Sequence, residues 1–219
     1  MKKLIIFDLD GTLIDTVADL ATSTNYALSK LGFPQHATEA YRFFVGNGIN
    51  KLFERALPEG FKDASNVLAV RHLFLTHYEQ HCADASRPYE GIPELLDAFV
   101  SAGCQLAVAS NKYHAATVRL VENFFPGVPF RIVLGQREQI PAKPDPYIVN
   151  EILTSCGMAA ADTLFVGDSG VDMQTAINSG VEACGVTWGF RPRAELAVLR
   201  PAHIVDRPDE ILKLLGLQN

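Results

Sequence analysis

The sequence predicts a doubly wound α/β fold, a parallel sheet covered by helices on both faces, with a purely helical insertion near its start. Three observations predict it. Short apolar runs bounded by Gly, Asp or Ser recur along the 219 residues, most without period-two alternation. Segments with helical spacing lie between them. One long stretch, Thr16 to Ala83, carries helical patterns and no strand signal.

The elements follow in order. Leu4–Phe7 is the first strand, an unbroken apolar run suited to burial on both faces of a parallel sheet. The insertion comes next. Val17, Leu20, Ala21, Ala27, Leu28 and Leu31 form an apolar stripe that stops at Gly32-Phe33-Pro34. Ile49, Leu52, Phe53 and Ala56 make a second stripe, and Val67, Val70, Leu73, Phe74 and Tyr78 a third. Arg87-Pro88-Tyr89-Glu90-Gly91 reads as the return linker. Strand and helix then alternate. Leu95, Leu96, Phe99 and Val100 predict a helix, Leu106–Ala109 a strand, and Thr117, Leu120, Val121 and Phe124 a helix. Ile132–Leu134 predicts a strand, Ile148, Ile152 and Leu153 a helix, and Leu164–Val166, Ala183–Thr187 and His203–Val205 three further strands. The expected organisation is a Rossmann-like core of residues 1–15 and 84–219, with a helical cap domain of residues 16–83.

Composition narrows the function. With 48% apolar and 20% charged residues the chain falls in the ordinary globular class. A net charge of −6 without a basic block argues against a nucleic-acid partner. No apolar run reaches the roughly 18 residues that a membrane span needs. The Met1–Phe7 run is cut off by Asp8 and Asp10, too early for a signal peptide. Cys82, Cys104, Cys156 and Cys184 are widely spaced and form no CxxC, so reduced thiols in a cytoplasmic protein are expected. No sequence feature sets an oligomeric state.

Four short segments carry chemistry. Leu4-Ile5-Ile6-Phe7-Asp8-Leu9-Asp10-Gly11-Thr12-Leu13 ends an apolar strand in two carboxylates at i and i+2. On an extended chain both would face one side, where they repel unless a cation joins them. Mg²⁺ is the expected cofactor, since it is often held by one or two carboxylates plus substrate phosphate. Thr163–Asp172 again ends a strand in carboxylates, Asp168 and Asp172; helix capping is the plainer reading of that segment alone. Ser110-Asn111 offers a hydroxyl and an amide at a third strand end, where an N-cap for the next helix is the favoured reading of the pair alone. Ala142-Lys143-Pro144-Asp145-Pro146 holds an ammonium in a proline-restricted loop. In open α/β sheets ligands bind beyond the carboxyl ends of strands, near a topological switch point. Carboxylates for a metal, two neutral donors and one fixed cation there suit phosphoryl transfer, where positioning and charge stabilisation dominate.

Asp8-x-Asp10-Gly11-Thr12, Ser110-Asn111, Lys143-Pro144 and Gly167-Asp168-x3-Asp172 resemble, in order, the four motifs of the haloacid dehalogenase superfamily. Val45-Gly46-Asn47-Gly48, Asn111-Lys112 and Ala142–Asp145 are similar to its phosphoglycolate phosphatase-like branch. The resemblance implies a phosphatase acting on a small phosphorylated metabolite. It implies Asp8 as nucleophile, Asp10 as general acid/base, and Ser110 or Asn111 with Lys143 as holders of the phosphoryl oxygens. Asp168, Asp8 and the backbone carbonyl of Asp10 would hold Mg²⁺, with Asp172 supporting the metal or its waters. The Gly46-Asn47-Gly48 turn is a candidate for substrate specificity. The dehalogenase branch lacks an acid/base Asp two residues after the nucleophile, so Asp10 argues for phosphate chemistry. None of Lys30, Lys51 and Lys62 sits in the context of a phosphonate-cleaving imine. A phosphomutase of the β-phosphoglucomutase type would share all four motifs. A non-catalytic phosphate-binding module would be expected to lose Asp8 or Asp10.

Other residues have plainer readings. His77 and His81, with Cys82 adjacent, have zinc-compatible spacing but no further ligand pair, which favours a helix surface. Phe43-Phe44 and Phe124-Phe125 read as packing. Arg191, in the Trp188–Arg193 segment, reads as a solvated loop residue, with contact to a substrate anion as the alternative.

Overall fold

The structure is a computed structural model that describes residues 2–217. Met1, at the head of the N-terminal run, and Gln218 and Asn219, at the end of the expected core, lie outside the described residues. The strands are β1 (Leu4–Phe7), β2 (Ile14–Asp15), β3 (Arg87–Pro88), β4 (Gln105–Tyr113), β5 (Phe130–Gln136), β6 (Thr163–Gly167), β7 (Glu182–Val186) and β8 (His203–Val205). The α-helices are α1 (Val17–Lys30), α2 (Tyr41–Phe44), α3 (Ile49–Ala56), α4 (Ala64–His81), α5 (Ile92–Ser101), α6 (His114–Phe124), α7 (Tyr147–Cys156), α8 (Gly170–Ser179), α9 (Arg193–Val198) and α10 (Pro208–Leu214).

Six strands form one parallel sheet in the order β5-β4-β1-β6-β7-β8. Strand order reverses at β1, which pairs with β4 on one side and β6 on the other. Leu4, Ile5, Ile6 and Phe7 are all fully buried, which explains why the run is apolar without alternation. Ile5 and Phe7 face one apolar layer, Leu4 and Ile6 the other. The switch point therefore lies at the end of β1, immediately before Asp8.

The helical insertion, α1 to α4, leaves and rejoins the core through a feature the sequence did not announce. Ile14–Asp15 and Arg87–Pro88 pair as a two-stranded antiparallel ribbon. Asp19, on the buried face of α1, closes this neck by accepting from the Ala85 and Ser86 amides and the Ser86 hydroxyl at 2.6–3.1 Å. The insertion has no separate core: Leu28, Phe53, Phe74 and Tyr78 belong to the same apolar layer as Ile5, Phe7 and Leu96. Among the described residues no helix is long and apolar enough to cross a membrane.

One packing expectation needs correction, and the helix-surface reading of the histidine pair stands. Phe44 packs edge-on against His36 and Tyr41, but Phe43 is 62% exposed. Its ring faces the Arg191 guanidinium instead of the core. His77 and His81 stack on each other and bond separately to Ser23 and Asp84, which gives them ordinary roles on the surface of α4.

Candidate active site

The first motif turns out of β1 within three residues. The Leu9 amide donates to Asp8 Oδ1 at 2.7 Å, and Gly11 takes a positive φ of 86° that permits the turn. A Cβ at Gly11 would lie 2.4 Å from Asp168 Oδ2, so the residue must be glycine for Asp168 to sit there. The turn brings Asp8 and Asp10 to one chamber but gives them different partners. Asp8 points to Lys143, whose Nζ is 3.0 Å away. Asp10 is held separately by the Thr16 hydroxyl at 2.7 Å and by Lys112 Nζ at 3.2 Å from each oxygen.

Lys143 is buried between two carboxylates, Asp8 at 3.0 Å and Asp172 at 2.7 Å. Burial pushes its pKa down, but Asp172 and Asp8 more than offset this and raise it to about 12, so it stays an ammonium. Both Asp172 oxygens have protein partners. One oxygen meets Lys143, and the other accepts from the Ser169 amide at 3.1 Å and hydroxyl at 2.6 Å, completing a capping box at the start of α8. The helix-capping reading of Asp172 is therefore also correct, and its oxygens accept from Lys143 and Ser169.

Asp168 is held by the Phe190 amide at 2.7 Å and the Thr12 hydroxyl at 3.3 Å. Asp8, Asp168 and Asp172 each bring an oxygen into one group spanning 4.8 Å, the only such cluster of potential ligands among the described residues. The Asp10 carboxylate is not in it, so the inclusion of Asp10 in a metal set can stand only through its backbone. Burial, Asp172 and Asp8 together push Asp168 well above the usual carboxylate range. Burial raises Asp8 to about 7 against the lowering effect of Lys143. Four carboxylates (Asp8, Asp10, Asp168, Asp172) and two ammoniums (Lys112, Lys143) leave a formal charge of −2. A divalent cation taking oxygen ligands fits this donor set and removes the repulsion.

β4 runs on to Tyr113, past the expected end at Ala109, with a register shift between Ala109 and Tyr113. Ser110 and Asn111 therefore belong to the strand's irregular end and do not cap α6, which has no side-chain cap. The Asn111 side chain has no free donor: Nδ2 donates to the carbonyls of Lys143 and Gly46 at 3.0 Å each, and Oδ1 accepts from the Lys143 amide at 2.8 Å. Of the two, only Ser110 keeps its side-chain O–H to offer, accepting just the Lys112 amide at 3.3 Å. Asn111 instead staples the Lys143 loop to the helical insertion.

The insertion roofs a chamber of about 50 Å³ lined by Asp8, Asp10, Ser110 and Lys112 from the core. Gly46, Gly48 and the apolar faces of α3 and α4 line it from above. The Asn47 side chain does not join them; it accepts from Arg55 at 2.7 Å. Arg191 is neither solvated nor aimed at the chamber. It donates to the carbonyls of Arg42 and of Val45, the latter at 2.7 Å, and so latches the insertion onto the core. The sequence assigned no role to Thr16 or Gly189, and it marked Lys112 only through the likeness of Asn111-Lys112 to one branch of the family; Lys112 and Thr16 shape the site through Asp10, and Gly189 through Asp168.

The haloacid dehalogenase-like hydrolase family model matches residues 5–186. The phosphoglycolate phosphatase of Mesorhizobium japonicum is 34% identical over 212 residues, covering 96% of this chain and 93% of its own. The phosphoglycolate phosphatase of Vibrio parahaemolyticus is 33% identical over 220 residues, covering 98% and 96%. The crystal structure of a "predicted phosphoglycolate phosphatase" from Haemophilus somnus superposes with a TM-score of 0.91 at 30% identity, covering 98% of each chain.

Proposed function

The chain belongs to the haloacid dehalogenase-like hydrolase family, and on that premise we propose that it is a Mg²⁺-dependent phosphatase that hydrolyses a small phosphomonoester through an aspartyl-phosphate on Asp8. The relatives' substrate, 2-phosphoglycolate, is the first candidate. The observation that carries the reading is the division of labour between two neighbouring carboxylates. Asp8 lies against a buried ammonium at the end of the central strand, while Asp10 is held two residues away by other donors.

In the proposed mechanism Asp8 attacks phosphorus, and the ester oxygen leaves with a proton from Asp10. Asp10, now a carboxylate, takes a proton from water, whose oxygen attacks the phosphoryl group and restores Asp8. Splitting the displacement in two is the usual gain of covalent catalysis. Lys143 and the Ser110 hydroxyl offset the charge on the phosphoryl oxygens. Thr16 and Lys112 hold Asp10 in line with the leaving group. Asp8, Asp168 and the Asp10 carbonyl would hold Mg²⁺, which when bound supplies the positive charge that lets Asp8 approach a phosphate dianion. Asp172 keeps Lys143 in place. The helical insertion serves as the cap that excludes bulk water. The four free cysteines suit a reducing, cytoplasmic setting.

The test is Asp8→Asn. An amide is too weak a nucleophile, so phosphate release should vanish while circular dichroism stays unchanged. Activity above about a tenth of wild type would refute covalent catalysis by Asp8.

A further inference from the structure

The chamber holds two polar groups whose binding capacity the mechanism leaves unused. Lys112 Nζ meets the two Asp10 oxygens and lies 4.8 Å from the centre of the Tyr78 ring. An ammonium has three N–H donors, so a donor remains beyond those that Asp10 can engage. The Tyr78 hydroxyl is buried and has no hydrogen-bond partner among the described residues. Leaving a buried hydroxyl unsatisfied costs free energy unless a ligand satisfies it. Burial, with Asp10 as a further cause, pushes the Tyr78 phenol well above 10, so it remains a donor.

The other cations near the site have partners. Lys143 sits between Asp8 and Asp172. Arg55 and Arg191 donate to carbonyls of the insertion. Lys112 and Tyr78 both line the chamber, whose remaining roof is apolar, from Leu20, Val45, Leu52 and Phe74. Such walls strengthen a charge interaction made inside them.

We infer that Lys112 and Tyr78 form a subsite for a second anion, a carboxylate carried on the leaving group close to the ester oxygen, so that the enzyme selects short phosphate esters of hydroxy acids. The inference rests on the phosphatase reading above. Lys112 would receive the carboxylate with its remaining donor, and the Tyr78 hydroxyl would hydrogen-bond the same group. A neutral leaving group of equal length would leave both donors unmatched.

The experiment compares kcat/KM for 2-phosphoglycolate and for 2-hydroxyethyl phosphate, which has a hydroxymethyl group where the carboxylate was. p-Nitrophenyl phosphate serves as a reporter of the chemistry itself. Wild type should prefer the carboxylate by about 100-fold, the size of a charge-assisted hydrogen-bonded pair. Lys112→Met should shrink that ratio to a few-fold. Any damage done through Asp10 falls on both esters and cancels in the ratio. Lys112→Arg should keep part of the preference, and Tyr78→Phe should lower it about tenfold. An unchanged ratio in folded Lys112→Met, or no preference in wild type, overturns the subsite. Should Lys112→Met fail to fold, an unchanged ratio in Tyr78→Phe does the same. If wild type leaves all three esters intact, the phosphatase reading fails first and the subsite with it.

Discussion

Alanine at Gly189 should damage the site through Asp168 without touching any proposed reacting group. A Cβ there would lie 2.2 Å from the Gly11 carbonyl oxygen, 2.3 Å from Asp168 Cβ and 2.5 Å from Asp168 Oδ2. The first is backbone, the second the root of a buried side chain, and the third is held by the Phe190 amide, so none can swing aside freely. Against an optimal separation of about 3.5–4.0 Å, the Gly189 loop, the Gly11 turn or Asp168 must move by roughly 1 Å. Overpacking of this kind costs about 1–3 kcal/mol, which lowers Tm by about 2–12 °C for a chain of this size. Misplacement by about 1 Å costs on the order of 100-fold in rate. The assay is phosphate release at increasing Mg²⁺, beside a thermal melt. The expected outcome is a folded, slower enzyme with a raised metal requirement. Gly60→Ala is the control: its added Cβ meets nothing within 4 Å, and its φ of 85° brings only backbone strain. It should lose about 1 kcal/mol of stability and keep the wild-type metal requirement. Wild-type kcat and metal dependence in Gly189→Ala would show that this loop does not place Asp168.

Three further outcomes are expected. Asp10→Asn should retain metal binding, since the proposed ligand there is a carbonyl, but lose roughly 10²–10⁴ in rate on an alkyl phosphate; an unchanged rate excludes the acid/base role. A chelator should stop turnover, Asp168→Ala should raise the Mg²⁺ requirement steeply, and Ca²⁺ should bind yet support little activity because its looser coordination misplaces Asp8; full activity in excess chelator rejects the metal. Asp8 has a folded pKa of about 7, above its ordinary 3.8, so metal-free folded protein binds the proton more tightly than unfolded protein does. Its contribution to stability is therefore lost as pH rises from about 4 to about 7. Melts of metal-free Asp8→Asn and wild type across that window should diverge, with the variant gaining relative stability toward pH 7; parallel curves would show that Asp8 ionises freely.

The sequence by itself determined the sheet, the helical insertion and the order of the four motifs. These are written in short-range patterns. Unbroken apolar runs such as Leu4–Phe7 and Leu164–Val166 are what a strand buried on both faces requires, and carboxylates directly after them have few other uses. The two-residue strands at Ile14–Asp15 and Arg87–Pro88 were not legible, because two residues carry no period and one of them is proline. Asp19 was hidden for a related reason: within α1 it looks like a polar gap in a stripe, and only the returning chain at Ala85 and Ser86 gives it donors.

Only the tertiary structure decided how the site residues are partnered. Asp10 meets Lys112 across 102 positions of chain, and Lys143 meets Asp172 across 29. The same holds for the commitment of Asn111 to Lys143 and Gly46, and of Arg191 to the insertion. A local pattern records what a residue can do, donate, accept or carry charge. Which of its capacities remain free for a ligand depends on neighbours brought together by the crossovers of the sheet and the closure of the insertion. That is why the side chain of Asn111, a good phosphate donor in sequence, is consumed as a staple, while Lys112, marked in sequence only by a likeness, and Tyr78, read there as part of an apolar stripe, line the chamber with donors left unmatched.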